Sequence, residues 1–92
     1  MNTSLLYEDS HDTIQGFVTS QVLKRGLDGR TEKAYRLDLE HLHDWIRDQG
    51  NGRVDANGVE KYLDYLQKER KLKYSTVTRK YRVFRYYLEY LE

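Results

Sequence analysis

The stretch RGLDGRTEKAYRLDLEHLHDWIRDQ, residues 25–49, decides what kind of fold this chain can adopt. Asp28 stands where a side-chain oxygen can accept the first free amides of a helix. From there Tyr35, Leu39, Leu42 and Ile46 recur at steps of 4, 3 and 4, which is one stripe on an α-helix, with Trp45 flanking it. The helix is expected to run to about Gln49, Gly50 offers a stop, and Asn51-Gly52 is a turn signal. A helix this long with a single apolar stripe has to bury that stripe against other helices.

Working outward, the same periodicity recurs three more times. Toward the N-terminus, Ile14, Phe17, Val18 and Gln21 share a face of a helix expected from His11 or Asp12 to Arg25, with Gly26 placed to end it. Gly16 lies inside that helix at a cost of about 1 kcal/mol relative to alanine. Leu27 is expected as a buried connector. Toward the C-terminus, Asp55 can cap a third helix. Val54 and Val59 are spaced as a hydrophobic staple around its start. Val59, Tyr62, Leu63 and Leu66 form its apolar face, its end is expected near Arg70, and Leu72 is a second buried connector. A fourth helix is expected to begin at Ser75 as N-cap and run to the end of the chain. Val77, Tyr81, Phe84, Leu88 and Leu91 fall within about 40° of one line on it, while Ser75, Arg79, Arg82 and Tyr86 lie about 140–200° away. Four amphipathic helices with short loops and no strand predict an all-α, compact four-helix bundle. Residues 1–10 read as a flexible, polar lead-in and residues 11–92 as one domain.

Composition narrows the function classes. The chain has no cysteine, so disulfides and thiolate metal sites are excluded, which suits a cytoplasmic setting. It has no secretory leader pattern and no apolar run long enough for a membrane span. Absence of proline favours uninterrupted helices. The net charge is +1, but its distribution is uneven. Residues 68–85 carry +7, residues 24–36 carry +3, and the rest of the chain −9. Clustering of one sign, more than the net value, makes a phosphate-binding face.

Two helix starts concentrate this charge together with hydrogen-bond donors. Helix two opens with Arg30, Thr31, Lys33 and Arg36. Helix four opens with Lys73, Tyr74, Ser75, Thr76, Thr78 and Arg79, followed by Arg82 and Arg85. Helix N-termini present backbone N–H groups and a positive dipole end to phosphate oxygens, and arginines add charge-assisted bonds. These twelve residues form the candidate DNA-binding set. The competing reading is that Thr31 and Ser75 only cap helices and the arginines only face solvent.

Other conspicuous residues read as structural. Tyr35, Tyr62 and Tyr81 sit on apolar stripes, and Tyr65, Tyr86, Tyr87 and Tyr90 are the more exposed candidates. A phenol with a pKa near 10 needs a base and an electrophilic pocket to attack phosphate, so no catalytic residue is expected. His41 and His43 are two apart, roughly 200° around a helix, and cannot chelate one metal. His11 reads as a cap or surface residue. No metal or cofactor is expected. Asp44, Asp48, Glu60 and Asp64 read as a solvated face, and Leu37 as an ordinary exposed leucine.

Residues 25–39 resemble the "RGLS-x-x-T-x-x-x-Y-x-x-D-L" opening of the core-binding domain of tyrosine recombinases and phage integrases. Trp45-Ile46 matches the aromatic-aliphatic pair that follows. Val54-Asp55 through Val59, with Tyr62-Leu63 and Tyr65-Leu66, is similar to "LT-x-x-x-V-x-x-YL-x-YL". Residues 72–91 resemble "LS-x-ST-I-x-R-x-L-x-x-L-R-x-F-Y-x-YL". Asp28 replaces a usual Ser and adds negative charge, and Tyr74 replaces a Pro or polar residue. The resemblance spans residues 12–92. It implies a SAM-like orthogonal bundle that grips double-stranded DNA at a recombination core site. It also implies a C-terminal catalytic domain of the same parent chain that completes a clamp around the duplex, and other recombinase protomers assembled as a tetramer. In the family a tyrosine nucleophile, aided by arginines, a lysine and a histidine of that C-terminal domain, breaks and rejoins DNA without metal or nucleotide. On this reading the chain is a non-catalytic domain of a longer recombinase. Two alternatives remain at this stage: a helix-turn-helix regulator built on the turn around residues 71–74, which would dimerise on a palindrome, and a helical protein-interaction module.

Overall fold

A computed structural model describes residues 10–50 and 54–92, with side chains from residue 12 onward. Residues 1–9 of the expected lead-in, the Asn51-Gly52 turn and the His11 side chain lie outside the described residues, while Ser10, expected in that lead-in, is the first residue of a helix. Four helices follow in order: α1 Ser10–Arg25, α2 Gly29–Asp48, α3 Ala56–Lys68 and α4 Tyr74–Leu91. Local chemistry fixes most of their ends. Gly26 and Gly50 adopt φ of 65° and 83°, the left-handed conformation that stops a helix at little cost to glycine. Asp28 and Asp55 each accept the amide three residues on, from Thr31 and Gly58, at 2.8 Å.

Two boundaries differ from expectation. Helix α3 ends at Lys68, not near Arg70. The amides of Glu69 and Arg70 both fold back on the Tyr65 carbonyl, and the Leu72 amide reaches the Leu66 carbonyl at 3.1 Å. Lys71 supplies this tuck with a φ of 53°, strained for a residue with a Cβ. Helix α4 begins at Tyr74, so Ser75 lies inside it. Its N-cap is Lys73, whose side chain makes no capping bond.

The core draws on every helix: Ile14, Phe17 and Val18, then Leu39, Leu42 and Ile46, then Val54, Val59, Tyr62 and Leu66, and finally Val77, Val83, Phe84 and Tyr87. Gln21 is buried with the α1 face as expected. Leu27 and Leu72 are half-buried. The molecule is a slab of 34 × 33 × 17 Å, with α2 packed against the other three helices.

Helix α4 buries a different face from the one its spacing suggested. Tyr81 is 48% exposed, while Val83 and Tyr87 are buried. At 100° per residue the observed face is rotated by about 50° from the expected stripe. Tyr87, expected among the exposed tyrosines, is fully buried. Its ring meets Phe17 edge-on at 5.2 Å, and its hydroxyl lies 2.8 Å from His43 Nε2. His43 is itself buried, so this polar pair ties α2 to α4. A second aromatic cluster joins Trp45, Tyr62 and Tyr65, with ring centroids 5.4–6.2 Å apart, and Phe84 stands 5.9 Å from Tyr62. Most tyrosines thus serve as amphipathic packing.

Burial lowers the His43 pKa to about 4, only partly opposed by the Asp44 charge. The unfolded chain takes up this proton near pH 6.5 and the folded chain only near 4. Stability should therefore fall as pH drops through that window, by about 3 kcal/mol from this group. Urea titrations at several pH values should show the slope, and the double variant His43→Leu/Tyr87→Phe should lose it.

Gly16 owes its place to packing. A Cβ there would lie 2.7 Å from the Tyr90 hydroxyl, and the Tyr90 ring packs on Phe17 at 5.6 Å. Gly16→Ala should stabilise by about 1 kcal/mol in a Tyr90→Ala background and by distinctly less in the native sequence, as read by thermal melts of both pairs.

Candidate nucleic-acid interface

The first turn of α2 and the middle of α4 border one open cleft, lined by Arg30, Thr31, Ala34 and Tyr35 on one side and Arg79, Arg82 and Val83 on the other. A neighbouring depression is lined by Thr78, Tyr81, Arg82 and Arg85. Arg82 belongs to both, so the two make one basic track along α4. The fold therefore brings Arg30, Thr31, Thr78, Arg79, Arg82 and Arg85 together. Lys73, Tyr74, Ser75 and Thr76 stand at the start of the same helix, with Tyr74 strongly exposed. Lys33 is exposed on α2 but lines neither depression. Arg36 is turned onto its own helix, with its Nη2 3.2 Å from Glu32 one turn back, an i,i+4 pair of small energetic weight.

The two helix starts are not equivalent. At α2 the Thr31 amide is already occupied by Asp28. The Asp28 carboxyl is held below its ordinary pKa, first by that amide, then by the Thr31 hydroxyl, with a lesser contribution from the Arg30 amide. It stays charged at neutral pH and competes with any phosphate for the same donors. At α4 the N-cap Lys73 makes no side-chain capping bond, and the first turn carries no acidic residue.

Asp38 gives the track its rigidity, and sequence reasoning passed over it. Its carboxylate, 7% exposed, lies 2.7 Å from Lys80 Nζ and 3.2 Å from Arg79 Nη1. Lys80 is largely buried by this contact, whereas the Arg79 side chain remains half exposed. A guanidinium has five donors, and this bond uses one of them on a side chain that also lines the cleft. The available signal was spacing: Asp38 lies three residues after Tyr35 and four before Leu42, at the edge of the α2 apolar stripe. Tyr81, expected in the core, instead lines the outer depression.

Away from these two depressions, Lys68 pairs with Asp64 at 3.1 Å and Arg47 with Asp48 at 3.3 Å. Among the described residues no group of three His, Cys, Asp or Glu converges as a metal site, and none of their helices is long and apolar enough to cross a membrane. Leu37 is exposed, as expected.

An all-α bundle of four helices is the architecture of a SAM-like domain. Residues 14–92 match the family model described as phage integrase, N-terminal SAM-like domain. The chain belongs to that family, and is thus the N-terminal SAM-like part of an integrase. No curated protein and no solved structure shows a significant match to it.

The Asp38 geometry separates two adjacent cations. Lys80→Met should destabilise the domain by about 2 kcal/mol, because the buried carboxylate loses its closest counter-charge. Arg79→Ala should cost under about 1 kcal/mol, because Lys80 still neutralises Asp38. Urea denaturation of the two variants checks the order.

Proposed function

We propose that this domain grips double-stranded DNA at a recombination core site, on behalf of a site-specific tyrosine recombinase that integrates or excises DNA in the cytoplasm. The observation that carries this reading is the continuous track shared by Arg30, Arg79, Arg82 and Arg85, with the uncapped start of α4 at one end. Such a track is suited to backbone phosphates, which position a protein on duplex, with base contacts added where α4 enters or runs beside a major groove. Lys33, Lys73, Tyr74, Ser75, Thr76 and Thr78 extend it as secondary contacts, and Arg36 contributes once its pair with Glu32 opens. The domain itself is not catalytic on this reading. A C-terminal catalytic domain of the parent chain closes the other side of the duplex, and further protomers assemble on the same DNA.

If about five phosphates are neutralised, log K should fall with log salt at a slope of roughly −4 to −5. Arg79→Ala/Arg82→Ala should lower affinity about tenfold or more with the fold intact by circular dichroism. Fluorescence anisotropy with a labelled duplex measures both. Unchanged binding by the double variant would remove α4 from the interface, and absence of binding at low salt would overturn the reading.

A further inference from the structure

Beyond the cleft, α4 carries a second meeting of cations at the corner where α1 ends. The Arg25 guanidinium lies over the Tyr86 ring, 3.9 Å from its centroid. That of Arg85 stands 5.6 Å from the same centroid. The Arg25 Nε donates to Gln21 Oε1 at 2.7 Å, and Gln21 is buried. Arg25 is therefore fixed twice, by a hydrogen bond at its neck and by the ring beneath its plane. Its terminal N–H groups have no acceptor among the described residues. Neither arginine has an ion pair among them, although Glu89 lies one turn beyond Arg85 on the same helix.

Two like charges brought to one aromatic ring without a counter-ion repel each other, and an anion seated between them relieves that repulsion. Orienting the donors in advance also removes the ordering cost that a free arginine meets on binding. We infer that Arg25 and Arg85, held on the Tyr86 ring, form a seat for a backbone phosphate of duplex DNA. This rests on the duplex-binding reading above and extends the interface to α1, which supplied no residue to the expected set.

The duplex is favoured over an acidic side chain of a protein partner by continuity. Arg85 also lines the depression that shares Arg82 with the α2–α4 cleft. The track from Arg79 to Tyr86 covers about 10 Å at 1.5 Å per residue. Phosphates recur every ~3.4 Å of helix axis on each strand, so a track of this length runs past more than one of them. A lone carboxylate would engage a single seat.

Phosphate contacts are independent of sequence, so a mixed-sequence duplex of about 20 base pairs, two helical turns, serves as probe. Arg25→Gln should weaken binding about tenfold and reduce the magnitude of the salt slope by about one. Arg25→Lys keeps the charge but not the planar stack, and should keep the slope while losing part of the affinity. Arg25 is exposed, so both variants should fold, with melting temperatures as a check. Arg79→Ala/Arg82→Ala is measured beside them. If that pair weakens binding while Arg25→Gln retains native affinity and slope, the phosphate seat is overturned and a carboxylate partner becomes the better occupant. If the native domain fails to bind the duplex at low salt, this inference and the reading beneath it fall together.

Discussion

The Asp38 carboxylate lies beneath the contact between α2 and α4, with Lys80 and Arg79 as its counter-charges. A buried ion is tolerated only when paired, so α4 has to present Lys80 inward at this level. That requirement fixes the rotation of α4 about its own axis. Val83 and Tyr87 turn into the core, Tyr81 turns out, and Arg82 is left facing solvent. Tyr87, once inside, meets His43 across the α2–α4 contact. One ion cluster thus determines both which aromatic rings fill the core and which arginines line the cleft.

Much of the fold was legible in the sequence because its signals are local. Asp28 and Asp55 cap helices through amides three residues away, and Gly26 and Gly50 stop them by a conformation their own residue type permits. The face of α4 was not legible. Tyr81 and Tyr87 are the same amphipathic residue, and spacing alone cannot say which belongs inside. The deciding partner, Asp38, is more than forty positions away. The end of α3 was obscure for a different reason: Lys71 takes a left-handed conformation that sequence reasoning reserves for glycine.

The site divides in the same way. Charge clustering marked the α4 arginines, and the structure gathers Arg30, Arg79 and Arg82 around one cleft. Charge clustering could not show which cations the protein already uses. Arg36 is drawn to Glu32, and Lys80 is consumed by Asp38. Nor could it show that the Asp28 cap occupies an amide at the opening of α2. Arg25 and Tyr86 meet only because α1 ends beside the C-terminal half of α4, a tertiary fact without a local signature.

The uncapped beginning of α4 has a thermodynamic meaning. Of the three helix starts whose caps are seen, α2 and α3 are closed by an aspartate, and α4 is left open at Lys73. An open helix start is the least secure part of its helix, because its leading amides depend on water. On the proposed reading a DNA phosphate would complete that turn from outside. A ligand that binds only the folded form stabilises it by mass action, so α4 would gain order as the duplex is engaged. The domain would then be a partner whose last increment of folding is supplied by its target.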